Sequence, residues 1–511
     1  MAKSKHDSVL GTDKRIRLGI WGLGRGTHFY RTCRELNFDV VAGCDFVEHM
    51  RDQFKEANPG ALVTPDADEF LAADFDAVLL ATYCPNHADD SIRCLEAGKH
   101  VLAEVTSFHT MAEGVRLVEA VEKSGLIYNL AENYPFSAAN MYLARQWREG
   151  LFGELIYAEY EYVHEVRELC YTYLGGKPIT PGDTVHNWRS WIDYHYYNTH
   201  SLGPVMVITG LRPTRVVALP GSQRIAGYPM EGTEGMPGIA PSLISLSNGS
   251  VMRNLMGATT SNTHIQRLWG TLGSSEVVDG ELRLRLGASG NSPKFAVTPT
   301  WQELGELAVK TGHGGGDFWV LYYFARQILF GEPAPFDIYT AADCTSPGIL
   351  AFRSAHENGA PQEVPDFRDK AQREKYRNDH FACPRYDVEH GLFPRGADKA
   401  LVGNFTTLMK DVIRHALLYR AYADWVSVSE AVKEPAGIAE VADNLIKDLP
   451  EMRAAFKAAH KIMDAYPESD GARVLREMLA LVDEKALARR TFLADARKQR
   501  DRLKRKAKKR S

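Results

Sequence analysis

The chain has 511 residues, 44% hydrophobic and 25% charged, a globular composition with room for two or three domains. Its formal net charge of −4 argues against general affinity for nucleic acid or anionic membrane, and no stretch approaches the roughly 18 apolar residues of a membrane span. Cysteines at 33, 44, 84, 94, 170, 344 and 383 show no C-x-x-C spacing, so thiols of a reducing compartment are expected and no metal site is.

Short apolar strands are predicted at 18–21, 40–44, 77–81, 100–103 and 127–130, alternating with helical patterns that include 88–97 and 111–123. Such alternation predicts a parallel sheet covered on both faces, with ligands held beyond the carboxyl ends of its strands. The first strand runs into Gly22-Leu23-Gly24-Arg25-Gly26-Thr27. Gly22 suits the tight turn and Gly24 lets backbone N–H groups approach a pyrophosphate, while Thr27 takes the usual third-glycine position and Gly26 comes one earlier. Asp45 follows the second strand, 21 residues past Gly24, where a carboxylate accepts the ribose hydroxyls of NAD and repels the 2′-phosphate of NADP.

A helix is predicted over 138–149, then period-two alternation over 154–165 that puts Tyr160, Tyr162 and His164 on one face. Strand-like runs at 214–218, 242–247, 249–255, 264–270 and 281–286 predict a large, open, mostly antiparallel sheet, with a Gly- and Pro-rich loop, 221–238, placed to cover a cleft. Helices resume at 317–330 and 339–358. Beyond Lys370, helical spacing of Phe405, Leu408, Val412, Ala416 and Tyr419, and patterns at 438–448, 452–465 and 471–482, predict a helical extension punctuated by Pro435, Pro450 and Pro467. It ends in ten basic residues against one acid over 497–510, read as a solvated helix end. The expected fold class is α/β: a Rossmann domain over 1–132, an open-sheet domain for substrate and oligomerisation over 133–370, and a helical extension over 371–511.

The glycine turn, the Thr82…His87 loop and Gly98-Lys99-His100-Val101-Leu102-Ala103-Glu104 resemble the glucose–fructose oxidoreductase/inositol dehydrogenase/rhizopine catabolism superfamily. Dehydrogenases of that group continue Glu-Lys-Pro, and their lysine helps move the substrate's hydroxyl proton. Here Val105 and Thr106 follow Glu104, and a valine transfers no proton. Over roughly 15–368 the chain is similar to a branch without that lysine, the NAD-dependent glycosidases of family 109. The matching stretches are Ala131-Glu132-Asn133, 150–156 leading into 162–167, Asn187-Trp188-Arg189, 197–205, 269–271, 313–318 and 339–342. Ser201 stands where a glycine is usual, and Gly316 where a larger residue is expected.

The resemblance implies cleavage through transient oxidation: hydride leaves ring carbon C3, the ketone acidifies the C2 hydrogen, the C1 group is eliminated, water adds and the hydride returns. His200 is the expected base, with Tyr197 three residues earlier on the same helical face. Tyr162, Glu132 and Arg189 complete the catalytic candidates. Thr82, Asn86, His87, Glu104 and Asn133 join the glycine turn and Asp45 as cofactor candidates. Two other readings stay open: a dehydrogenase yielding a 3-keto product, and a sugar or NAD sensor that does not turn over. The expected partners are a small carbohydrate and a second copy of the chain, with a cytoplasmic location.

Overall fold

The computed structural model describes residues 9–171, 192–221, 225–228, 238–300, 303–383 and 391–508. Contacts divide the chain into two units, one of Met1–Glu165, Ile192–Gln223 and Glu234–Arg385, the other of Val166–Trp191, Arg224–Thr233 and Tyr386–Ser511.

The first unit holds two sheets. In the first, β1 (Ile16–Trp21), β2 (Phe38–Cys44), β3 (Leu62–Thr64), β4 (Ala77–Leu80), β5 (His100–Ala103) and β6 (Tyr128–Leu130) lie parallel in the order β3-β2-β1-β4-β5-β6. Its central strands carry the apolar runs 18–21, 77–80 and 101–103 because helices bury both faces: Leu18, Ile20, Val78, Leu79, Leu80, Val101 and Leu102 are inaccessible. The helix Met111–Ser124 starts where Thr110 and Glu113 cap each other's backbone N–H groups, and it ends at Gly125 in the left-handed region. Strand order reverses between β1 and β4, which opens a crevice at the carboxyl edge. The sequence pattern misses β3, whose three residues carry too little periodicity to register.

The second sheet has nine strands, in the order β14-β13-β12-β11-β7-β10-β9-β8-β15. They are β7 (Leu155–His164), β8 (Pro213–Ala218), β9 (Ile239–Leu246), β10 (Val251–Ala258), β11 (Gln266–Gly270), β12 (Gly273–Val278), β13 (Glu281–Leu286), β14 (Lys294–Val297) and β15 (Gln362–Glu363). Among the described residues, only the β7–β10 pair of this sheet is parallel. Alternation along β7 sorts its faces: Ala158, Tyr160 and Tyr162 turn to the covered side. Opposite them, Glu159 and Glu161 form a ladder with Arg253 and Arg267 from the flanking strands.

The second unit is largely helical among its described residues, with Phe405–Ser427, Pro435–Ala465, Asp470–Leu479 and Phe492–Lys508 as its long elements. One expectation is corrected here: Pro450 does not interrupt a helix, since Pro435–Ala465 runs through it. Proline forfeits one backbone hydrogen bond. Burial of Leu445, Leu449, Met452 and Phe456 on the same helix carries the chain across that gap. Over its described residues, 497–508, the basic run is helical and its charges are partly matched, Arg500 and Lys504 on Asp443 and Arg502 and Lys506 on Glu430. Leu503 anchors it on Ile438 and Ala439. Among the described residues, no helix is long and apolar enough to cross a membrane.

Candidate active site

At the carboxyl end of β1, Gly22 has φ +94°, and a Cβ there would lie 2.1 Å from the Ala81 carbonyl oxygen beyond β4. Only glycine fits. Gly26 does the packing job of the displaced third glycine, because a Cβ on it would meet Ile20 Cγ2 at 2.4 Å. Gly24 differs from both: a Cβ there would find nothing within 4 Å among the described residues, so the turn is open at that residue. Thr27 closes the turn by donating its hydroxyl to the Gly24 carbonyl at 3.1 Å. The helix after the turn is segmented, Leu23–Gly26, a 3-10 turn Thr27–Phe29, then Tyr30–Glu35.

Asp45 follows β2 directly and is held at both oxygens, accepting from the Leu23 N–H at 2.8 Å and the Val47 N–H at 2.9 Å. Its carboxylate is thereby fixed beside the glycine turn. Beyond β4, Thr82 donates its hydroxyl to Asp90 at 2.7 Å. His87 sets one ring nitrogen 2.9 Å from the Thr106 carbonyl and the other 3.2 Å from that of Thr82, so it braces two strand-end loops. Asn86 ends the short 3-10 turn that leads into His87.

Glu104, after β5, accepts from Arg25 Nε at 2.8 Å. Arg25 is therefore drawn inward from the glycine turn, and its guanidinium also forks onto Asp317 at 2.7 and 2.9 Å. Burial pulls against its charge, but Glu104 and Asp317 outweigh it and raise its pKa further. Burial alone would push the Asp317 carboxyl up; the hydrogen bonds from His313 and Arg25 win and hold it well below the usual range.

Two residues past β6 stands Glu132, fully buried. It accepts from the Tyr134 backbone N–H at 3.0 Å and lies 2.8 and 2.9 Å from His200 Nδ1 through its two oxygens. His200 is brought there by the first turn of the helix Thr199–Thr209. Gly203, one turn on, makes the approach possible, since a Cβ on it would already press Glu132 Cγ at 3.0 Å. Rings gather around this pair. Tyr134 stacks on His200 at 4.3 Å between centroids, Tyr197 meets it edge-on at 4.6 Å, and Tyr162 from β7 at 4.7 Å.

Four of the five catalytic candidates, His200, Tyr197, Tyr162 and Glu132, thus converge on one cluster. Arg189 lies outside the described residues, as does most of the loop 221–238. Sequence reasoning missed two members. Tyr134 was signalled by its place beside Glu132 and Asn133; burial, with Tyr162, Tyr197 and Glu132 nearby, lifts its phenol far above the ordinary value and keeps it protonated. His264 precedes β11 and faces Tyr162 at 5.3 Å and His164 at 4.8 Å. Burial lowers its pKa despite a bond to the Glu161 backbone, and nearby His200 lowers it further. No spacing in the sequence marks it.

The two unusual positions also find reasons. Ser201 turns inward, its hydroxyl within hydrogen-bond reach of the Asn198 carbonyl at 3.0 Å and of the Asn254 side-chain oxygen on β10. At Gly316 a Cβ would lie 2.5 Å from the Asn133 carbonyl oxygen, so no larger residue fits.

Residues 294–374 match the family described as glycosyl hydrolase 109, C-terminal domain. A glycosyl hydrolase family 109 protein of Saccharopolyspora erythraea is 28% identical over 321 residues, covering 58% of this chain and 68% of that one. The alpha-N-acetylgalactosaminidase of Tannerella forsythia is 28% identical over 332 residues, covering 58% and 71%. In fold, a levoglucosan dehydrogenase solved with NADH superposes with a TM-score of 0.57 at 17% identity, over 69% of this chain and all of that one. In sequence, then, this chain is similar to the glycosyl hydrolases of family 109, and it shares its fold with a sugar oxidoreductase, in agreement with the resemblance carried by its motifs.

Proposed function

We propose that the protein is an NAD-dependent glycoside-cleaving enzyme that oxidises its sugar transiently and returns it unoxidised. The observation that carries this reading is the buried Glu132–His200 pair, ringed by Tyr134, Tyr162 and Tyr197, at the carboxyl edge of a sheet with a dinucleotide-type glycine turn. The turn fits the cofactor on its own terms: Gly24 has open space where a Cβ would be, and Asp45 is fixed beside it. When bound, NAD supplies the removal and return of a hydride at a sugar carbon.

The chain's own residues supply position and proton transfer. Glu132 on Nδ1 fixes the His200 tautomer with its proton there, which leaves Nε2 as the acceptor for the hydroxyl proton at the carbon being oxidised. Tyr162 handles the proton at the neighbouring C2 and Tyr197 holds or relays a hydroxyl, both in ring contact with His200. Direct hydrolysis needs two carboxyl groups facing the scissile bond. Glu132 is already committed to His200, which favours the redox route. Arg189 remains a candidate sugar contact. The split into Rossmann, open-sheet and helical regions at 132 and 370, a cytoplasmic location and a homo-oligomer complete the proposal. A net sugar dehydrogenase is the second reading, favoured because the same His200–Glu132 pair is also a sufficient base for oxidation without elimination.

Incubation of the NAD-loaded protein with aryl and natural glycosides separates the two. Released aglycone without accumulating NADH is expected; stoichiometric NADH with the glycosidic bond intact would replace the proposal by a dehydrogenase. Cofactor choice is testable by itself. Asp45→Ala removes a charged acceptor and is expected to weaken NADH binding about 10- to 100-fold while easing the rejection of NADPH. An unchanged NADH titration would contradict the placement of the ribose at Asp45.

A further inference from the structure

We propose that Asp317 is the positioning residue of the dinucleotide pocket, a single carboxylate that ties down the glycine turn and sets the orientation of Asn133. The inference rests on the NAD reading above.

Asp317 lies in the first turn of the helix Gly316–Phe330, with a side chain only 1% exposed. Its seat requires glycines on two sides. A Cβ on Gly316 would strike the Asn133 carbonyl at 2.5 Å, and one on Gly312 would strike Asp317 Oδ2 at 2.3 Å. The backbone is thus shaped to bring this acid against the ends of β1 and β6.

Three side chains meet it there. Arg25 forks onto both oxygens, Asn133 donates Nδ2 to Oδ1 at 3.0 Å, and His313 sets Nδ1 3.1 Å from each oxygen. With Nε on Glu104, Arg25 spends three of its five N–H groups on carboxylates, and its plane lies 4.4 Å over the Phe29 ring. A guanidinium so committed acts as a tie between the turn and the protein interior rather than as a phosphate ligand.

The second tie concerns which way an amide faces. An ionised carboxylate only accepts, so Asn133 must turn its Nδ2 towards Asp317. Its Oδ1 is then directed elsewhere, buried and with no hydrogen-bond partner among the described residues. An oriented acceptor of this kind suits an amide or hydroxyl donor of the bound dinucleotide. Asn133 also follows Glu132, so the same carboxylate steadies the segment that carries the partner of His200.

The test is a fluorescence titration of full-length protein with NADH, alongside thermal melting. Asp317→Asn can donate as well as accept, so it frees Asn133 to flip and leaves Arg25 half-paired; NADH binding is expected to weaken at least ~10-fold. The double variant Arg25→Met/Asp317→Leu removes the Arg25–Asp317 pair itself and leaves Glu104 without its Arg25 partner, so a lower melting temperature is expected. It is expected to fold, to melt cooperatively below the wild type, and to keep the weakened NADH binding. A folded double variant that binds NADH as the wild type does would overturn the positioning role and leave the cofactor reading intact. Absence of NADH binding by the wild type itself would overturn both.

Discussion

His200→Asn is expected to lower kcat by about 10²- to 10⁴-fold, the span that a positioned acid–base group typically supplies. The substitution is chosen for what it keeps. Glu132 is fully buried and shares its oxygens between the Tyr134 N–H and His200, so an alanine would strip a buried carboxylate of a donor. Asparagine can still donate to Glu132 but cannot carry a proton from the sugar. NADH binding and melting temperature should therefore stay near wild type while turnover collapses. Steady-state kinetics beside an NADH titration checks this. A variant that retains most of its kcat would remove His200 from the chemistry.

Gly22→Ala should have the largest structural effect. With φ at +94° and the new methyl 2.1 Å from the Ala81 carbonyl, either the turn leaves its left-handed conformation or β1 and β4 part at their carboxyl ends. Left-handed strain and overpacking together cost roughly 2–5 kcal/mol, against a usual total stability of about 5–15. A lower denaturation midpoint and loss of NADH binding are expected. Gly24→Ala is the control, for nothing lies within 4 Å of its Cβ. It should melt within about 0.5 kcal/mol of wild type, as exposed substitutions do, and still bind NADH more weakly because the methyl occupies the space above the turn. Equal stability of the two variants, measured by chemical denaturation, would contradict this division of labour among the glycines.

Much of this architecture is legible in the sequence because it rests on local patterns. Unbroken apolar runs such as 77–80 and 101–103 mark strands covered on both faces, and period-two alternation marks β7 with Tyr162 on its covered side. Spacing alone also placed Tyr197 beside His200, although the two sit on successive elements, a 3-10 turn and the following helix. The Glu132–His200 contact joins residues 68 positions apart; the motif resemblance made both site candidates but did not pair them. Arg25–Asp317 spans 292 positions and depends on where Gly312 and Gly316 let a helix settle. His264 is brought in by the register of β11 on β7, which no local pattern encodes. Pro450 shows the opposite failure, a strong local signal overruled by the burial of its helix.

The central claim is oxidation followed by elimination, and its most direct signature is isotopic. Turnover of a cleaved glycoside by the NAD-loaded protein in D₂O, followed by NMR or mass spectrometry of the sugar, reads it out. The account predicts deuterium at C2 of the released sugar, no lasting NADH, and loss of both cleavage and exchange in His200→Asn. Cleavage that leaves C2 fully protonated would contradict it and point to direct displacement at the anomeric carbon.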